Sequence, residues 1–307
     1  MTRTGRSPRH FLRLTDLARE ELLDLVERAA EWKLLGKGGP RPLERMTLGL
    51  VFEKASTRTR VSFEVAAYQL GGNAMMLSPR DTQLGRGEPI KDTARVLSRY
   101  LDALVVRTFE HAKLEDMAAH ASVPVVNALT DASHPCQVLA DLLTVTERFG
   151  ADALRRRSVE IAWVGDGNNM ANSWLEASIV LGLTVRLACP EGYEPDPALL
   201  ARAGRQARVL RDPAAAVRGA HVVNTDVWAS MGQEQEALER RRRFAGFTVD
   251  PALLAHAAPG AVVLHCLPAH RGEEISEEVL EGPQSVVFDQ AENRLHAQKA
   301  LLELLLA

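Results

Sequence analysis

Apolar residues recur along this chain with two different periods, and the way the periods alternate predicts its architecture. Leu17 to Leu35 carries them at helical spacing, entered through Thr15-Asp16 and stopped at Gly36 before a Gly38-Gly39-Pro40 turn. Short β-type runs then alternate with amphipathic stretches. Thr47–Glu53 predicts a strand, Arg58–Leu70 a helix, Ala74–Leu77 a strand, Ile90–Tyr100 a helix, Ala103–Arg107 a strand, Lys113–Ala121 a helix and Val123–Asn127 a strand. The rhythm breaks at His134-Pro135-Cys136-Gln137, which opens an uninterrupted helix to Phe149. A second alternating set begins at Glu160–Val164, with later strands at Thr184–Ala188, Ala207–Leu210, His221–Asn224, Val262–Cys266 and Val286–Phe288. Ala291–Leu306 predicts a closing helix whose Leu301, Leu302, Leu304, Leu305 and Leu306 need a surface to pack on.

Strand–helix alternation of this kind gives parallel sheets covered by helices. The expected fold class is therefore α/β, with two doubly wound parallel-sheet domains joined by interdomain helices. A chain of 307 residues is also long for a single core. Gly150 and the basic run Arg155-Arg156-Arg157 mark the boundary, giving one domain over 1–149 and a second over 150–290. The helix over 291–307 is expected to dock back onto the first domain, which would bury its leucines.

Composition narrows the function classes. A net charge of −3 argues against a nucleic-acid-binding role, so any positive field must be local. Three cysteines, Cys136, Cys189 and Cys266, include no Cys-x-x-Cys pair and make neither a disulfide framework nor a zinc site. A reducing compartment, the cytosol, follows. The N-terminus is basic through Arg13 and reads as a disordered tail without the apolar core of a signal peptide, and no stretch reaches transmembrane length. The charge-dense Glu234–Arg243 reads as a solvated helix face.

Candidate chemistry concentrates where strands end. Ser56-Thr57-Arg58-Thr59-Arg60 lies between a strand and a helix start, where unpaired N–H groups and the positive helix end together favour an anion. Guanidinium forks can hold two phosphate oxygens at once, so the segment reads as a phosphate cradle. The alternative is a Ser/Thr N-cap followed by solvated arginines. Gly165-Asp166-Gly167-Asn168-Asn169-Met170 stands where a dinucleotide fingerprint would lie, but Met170 occupies the third glycine position and no P-loop exists. Asn168 and Asn169 offer neutral amides to a small polar ligand instead. Arg107, the pair His134 and Gln137, Asp226 before Trp228-Ala229-Ser230-Met231-Gly232, and His265-Cys266-Leu267-Pro268 complete the set. In open α/β sheets such loops carry the ligand groups.

These motifs resemble the aspartate/ornithine carbamoyltransferase family over nearly the whole chain, from about His10-Phe11-Leu12 onward. Ser-Thr-Arg-Thr-Arg and His-Pro-x-Gln mark its carbamoyl-phosphate half. Asp-Val-Trp-x-Ser-Met-Gly and His-Cys-Leu-Pro mark its ornithine branch. The aspartate branch carries a lysine in the loop corresponding to Asp81–Glu88, where this chain has Gln83 and no lysine, and it lacks His-Cys-Leu-Pro. The resemblance implies a carbamoyl-phosphate site from Ser56, Thr57, Arg58, Thr59, Arg107, His134, Pro135, Cys136, Gln137, Cys266, Leu267 and Arg294, with Gln83 reaching in from a neighbouring subunit of a trimer or a multiple of trimers. Asn169, Asp226, Ser230 and Met231 would hold ornithine, with Asp226 on its α-ammonium. Arg107, His134, Thr59 and Cys266 are the implied catalytic residues, and neither metal nor organic cofactor is called for. The implied reaction is attack of the ornithine δ-amine on the carbamoyl carbon, yielding citrulline and phosphate. A related amine as acceptor and a silent binding relative remain the alternatives. Ser78–Arg86 and Ala151–Arg157 are individual to this chain, and nothing beyond Gln83 carries over to them.

Overall fold

The computed structural model describes residues 7–78, 87–230, 232 and 234–307. The chain divides into two compact units. One comprises Asp24–Cys136 with the N-terminal segment through Asp16 and with Arg294–Ala307; the other comprises Gln137–Asn293 with Leu17–Leu23. The divisions fall inside helices, at Cys136/Gln137 within Pro135–Phe149 and at Asn293/Arg294 within Val287–Leu306.

The first unit is built on a parallel sheet of β1 (Thr47–Phe52), β2 (Asn73–Leu77), β3 (Ala103–Arg107) and β4 (Val125–Leu129), in the order β2-β1-β3-β4. From β1 the chain steps outward to β2, then returns across β1 to β3 and β4. Right-handed crossovers in opposite directions put helices on opposite faces, so the sheet is doubly wound. Every residue of β3 is buried, as expected of a strand covered on both sides. Val51, Leu104, Val106, Leu114, Met117 and Val125 form one core between the sheet and its helices. β4 starts two residues later than the apolar run at Val123, because Pro124 has no N–H for the ladder and serves only through its carbonyl, which accepts from Leu104 N at 2.9 Å.

The basic N-terminal segment is not a tail as far as it is described. Phe11 exchanges backbone hydrogen bonds with Val125 and Asn127, both 2.8 Å, and adds a parallel bridge beside β4. Phe11 and Leu14 are fully buried, and Asp16 accepts from the N–H groups of Leu12 and Arg13. Apolar anchors every three residues outweighed the charge between them.

The second unit holds β5 (Glu160–Val164), β6 (Thr184–Ala188), β7 (Ala207–Leu210), β8 (Val222–Thr225) and β9 (Val262–His265), all parallel, in the order β7-β6-β5-β8-β9. Its core runs through Val164, Val223, Val263, Trp228, Phe244, Phe247 and Leu280. The expected strand at Val286–Phe288 does not form. Ser285 makes a single bridge to Val263, after which a helix starts at Val287 and leaves Phe288 64% exposed. Three apolar residues fit a helix start as well as a strand, and only the partner edge decides between them.

In the first unit the C-terminal segment buries Ala297, Ala300, Leu301 and Leu302, while Leu304 remains 40% exposed. Glu303 accepts from Arg28 and from Trp32 Nε1 at 2.8 Å, and Lys299 donates to the Gly36 carbonyl.

Candidate active site

At the carboxyl edge of the first sheet, strand order reverses between β1 and β3. A reversal of this kind opens a crevice there. The loop leaving β1 turns at Ser56 into the helix Thr57–Gln69. Ser56 is the N-cap, extended at φ −161°, and its hydroxyl accepts from Thr59 N at 3.2 Å. The N–H groups of Thr57 and Arg58 have no intrahelical acceptor and stay available to an anion. The capping reading and the cradle reading thus describe the same turn. Arg58 is exposed, and Arg60 is exposed on an ion pair with Glu64 at 2.9 Å. A cavity of about 510 Å³ opens beside the turn, lined by Ser56, Thr57, Arg60, Val61, Glu64 and Met76.

Behind the turn lies a buried cationic set. Thr59 is 1% exposed, and Arg294 Nη2 donates to its hydroxyl at 3.0 Å across 235 positions of sequence. Arg107, which ends β3 opposite Phe52, is also buried. His134 is buried near both arginines. Desolvation first, then the Arg294 and Arg107 charges, hold its pKa well below the usual histidine range, so the ring is neutral. The loop before it is fastened by Ser133 N to Thr130 Oγ1 and by Asn127 Nδ2 to Ser133 Oγ at 3.1 Å. Pro135 then supplies the fixed φ of a first helical residue.

Two expected members have their side chains engaged elsewhere. Cys136 is fully buried and donates to the Asn127 carbonyl; burial pushes its thiol up to about 12, so it offers no thiolate. Gln137 spends its amide N–H on Asp141 Oδ1 at 2.9 Å, an oxygen that also accepts from Gln290. Gln83 and Met231 lie outside the described residues. Lys54, which the sequence reading passed over, is 4% exposed on β1's outgoing loop, ion-paired with Asp131 and over the Phe109 ring. A lysine directly after a buried strand was the available signal.

In the second unit the order reverses between β5 and β8, and the groups delivered there are polar and acidic. Asn168 caps the helix Asn169–Leu181, accepting from the N–H of Met170 and Ala171, and its Nδ2 donates to Asp226 Oδ2 at 3.1 Å. Asp226, 6% exposed, also accepts from Cys266 Sγ at 3.1 Å. Asn169 is the first helical residue beside this pair, and Ser230 is half-buried on the loop after Trp228. Gly167 has a packing reason: a Cβ there would lie 2.2 Å from Pro195 N and 2.6 Å from the Tyr193 carbonyl. A close approach to its own chain explains this glycine without a nucleotide.

Cys266 and Leu267 follow β9. His265 Nδ1 accepts from Leu267 N at 2.8 Å, so the ring proton sits on Nε2 and is donated to Glu274 Oε1 at 3.1 Å. That pair is wholly buried and fixes Leu267 at φ 57°, a left-handed conformation uncommon for a leucine.

The charge-dense segment is only partly a solvated face. Arg241, Arg242 and Arg243 are exposed, but Arg240 is 6% exposed. It pairs with Asp166 at 2.8 Å, stacks on Tyr193 and donates to the Trp228 carbonyl at 2.7 Å, fastening the loop that leads to Ser230. Burial pushes Asp166 up to about 6 in spite of Arg240. Nothing in the local pattern marked Arg240 as the inward member of four consecutive arginines.

Family models of the aspartate/ornithine carbamoyltransferases match the chain twice: the carbamoyl-phosphate-binding domain over residues 9–147 and the Asp/Orn-binding domain over residues 157–305. The chain is 58% identical over 302 residues to an anabolic ornithine carbamoyltransferase of Pseudomonas aeruginosa, covering 98% of each. It is 56% identical to an ornithine carbamoyltransferase of Nitrosococcus oceani, covering 97% of each. Its fold is similar to the solved ornithine carbamoyltransferase of Pyrococcus furiosus, with TM-score 0.92 and 50% identity over 98% of this chain and 97% of that one.

Proposed function

This chain belongs to the aspartate/ornithine carbamoyltransferase family, and from that premise we infer that it transfers the carbamoyl group of carbamoyl phosphate to the δ-amine of L-ornithine, giving L-citrulline and phosphate. It is a transferase of arginine biosynthesis. The observation that carries the choice of acceptor is Asp226. It is a buried carboxylate held between Asn168 and Cys266, suited to an α-ammonium and repellent to the second carboxylate of aspartate.

Carbamoyl phosphate is assigned to the first unit's crevice. Ser56, Thr57 and Arg58 take the phosphate through free N–H groups and the guanidinium. Thr59, Arg107 and His134 face the carbonyl oxygen, with Arg294 holding the Thr59 hydroxyl. The neutral amine attacks the carbonyl carbon, a C–N bond forms and negative charge gathers on that oxygen. Expulsion of phosphate then breaks the C–O bond, and the proton lost from nitrogen ends on the phosphate. His134 stays neutral and contributes as a hydrogen-bond donor, since taking up a proton beside two arginines is unfavourable. Fixed donors aimed at the developing charge supply most of the acceleration. Pro135, Cys136 and Gln137 enter through the backbone and the helix start, because the latter two side chains have other partners. Asn169, Asp226, Ser230 and Met231 are assigned to the amino-acid end of ornithine, and Cys266 and Leu267 to the reacting end.

The working form is a trimer or a multiple of trimers, in which Gln83 completes a neighbour's phosphate site. Supporting this, Val61, which lines the cavity beside Ser56, is a 50% exposed apolar residue. The compartment is the cytoplasm, in keeping with cysteines that are all unbridged. Among the described residues no helix is long and apolar enough to cross a membrane.

The test is direct. Purified protein given carbamoyl phosphate and L-ornithine should release citrulline, and given L-aspartate should release no carbamoylated product. Absence of citrulline, or equal use of aspartate, overturns the reading.

A further inference from the structure

On the loop that follows Cys266 in the second unit, His270, Glu273 and Glu274 bring one imidazole nitrogen and two carboxylates together, with ligand atoms all within 4.8 Å of one another. Glu274 is unusual among them. Its side chain is wholly buried, and Oε1 accepts from His265 Nε2 and from His270 N at 2.6 Å. Its other oxygen, Oε2, is sealed from solvent, has no hydrogen-bond partner, and lies 4.0 Å from His270 Nδ1. A buried carboxylate oxygen without a partner is costly, and a bound cation is one way to satisfy it. The other two members can move to meet an ion. The His270 side chain is 52% exposed, and Glu273 is tied to Arg241 through Oε1 alone, at 2.5 Å.

We propose that His270, Glu273 and Glu274 form a binding site for a borderline divalent cation of the zinc or cobalt type, separate from the transfer chemistry. One imidazole with two carboxylates suits such ions, whereas magnesium and calcium favour oxygen alone. Metal–nitrogen and metal–oxygen bonds of about 2.0–2.2 Å set tetrahedral ligands about 3.4 Å apart, so His270 needs only a small rotamer adjustment to close its 4.0 Å gap. The ion shares Glu274 with His265 and so adds a second constraint on the loop carrying Cys266.

A second group, Asp226, His265 and Cys266, also has ligand atoms in mutual reach, and the experiment must separate the two. Co²⁺ alone is titrated into full-length, chelator-stripped wild type, into Cys266→Ala, and into Cys266→Ala carrying His270→Ala or Glu273→Gln. Binding is followed by d–d absorption and equilibrium dialysis, and folding by circular dichroism. The expected result is one Co²⁺ per chain in Cys266→Ala and at least tenfold weaker binding in both double variants. The His270 side chain is 52% exposed and that of Glu273 26%, and neither belongs to the core, so folded double variants are expected. The proposal is overturned by no Co²⁺ uptake, by uptake indifferent to His270→Ala or to Glu273→Gln, or by uptake only when Cys266 is present, with a thiolate charge-transfer band.

Discussion

In the first unit the strand order turns back between β1 and β3, and the groups at that point are Ser56 to Thr59, Arg107, a neutral His134 and Arg294. In the second it turns back between β5 and β8, where Asn168, Asn169, Asp226 and Cys266 gather. Both sites use an N-capped helix start, through Ser56 in one and Asn168 in the other. Both parallel sheets reverse their strand order once, and the charge gathered at the reversal is opposite. A doubly wound sheet supplies only the crevice, and the loop residues decide whether it takes a phosphate or an ammonium.

Each site is expected to answer to a different substrate. The largest effect is expected from Asp226→Asn, which keeps a side chain for Asn168 but removes the charge assigned to the α-ammonium. A buried charge left alone costs about 3–5 kcal/mol, so KM for ornithine should rise by roughly 100-fold or more. KM for carbamoyl phosphate should stay within about threefold, and steady-state kinetics with each substrate varied reads both. Equal effects on the two would erase the contrast.

Next comes Arg58→Leu. The residue is exposed, so melting should be unchanged, while loss of a donor to the leaving group should lower kcat by about 10²–10³. Retention of more than a tenth of the rate would remove Arg58 from the cradle.

The buried Asp166–Arg240 pair behind the second site gives a pH test. The Asp166 pKa is raised, to about 6, so the folded protein holds this proton more tightly than the unfolded chain. The resulting stability is full below the ordinary value of 3.8 and is lost as pH rises through about 6. Asp166→Asn copies the protonated form and should therefore gain on the wild type between about pH 4.5 and 6.5, by up to about 3 kcal/mol. Denaturant melts of the two proteins across that window measure the gap. A constant gap would show that Arg240 offsets the burial.

The smallest effect is expected from Gly167→Ala. Its Cβ meets backbone atoms of Glu194 and Pro195 at 2.3 and 2.2 Å, which cannot swing aside as a side-chain tip can. Overpacking of this kind costs about 1–3 kcal/mol, seen as a melting point lower by a few degrees. Because Asn168 is adjacent, KM for ornithine should rise modestly while that for carbamoyl phosphate does not.

Much of the fold was legible because strand and helix periods are local. β3, β5, β6 and β7 fall where the apolar runs predicted them. Local reading failed where a partner decides the outcome. Val286–Phe288 leaves the free edge of β9 after the single Ser285–Val263 bridge because a helix starts at Val287, and Phe11 found an edge that its basic neighbours concealed. Ser56, Arg107, His134 and Asp226 could be picked out because each ends a strand or opens a helix in a chemically pointed motif. Cys136 and Gln137 belong to such a motif, yet their side chains bond to Asn127 and Asp141, and sequence proximity to His134 could not reveal that.

The sequence by itself therefore determined the α/β class, the two alternating halves and the residue types available at each strand end, since all of these depend on periodicity and composition within a few residues. Only the tertiary structure decided the strand orders β2-β1-β3-β4 and β7-β6-β5-β8-β9, and with them which strand ends face a crevice. It alone joined Arg294 to Thr59, Cys266 to Asp226 and Arg240 to Asp166, at separations of 235, 40 and 74 residues. The physical reason is that crossover direction and long-range pairing are settled by how whole faces pack, information that no short window of the chain contains.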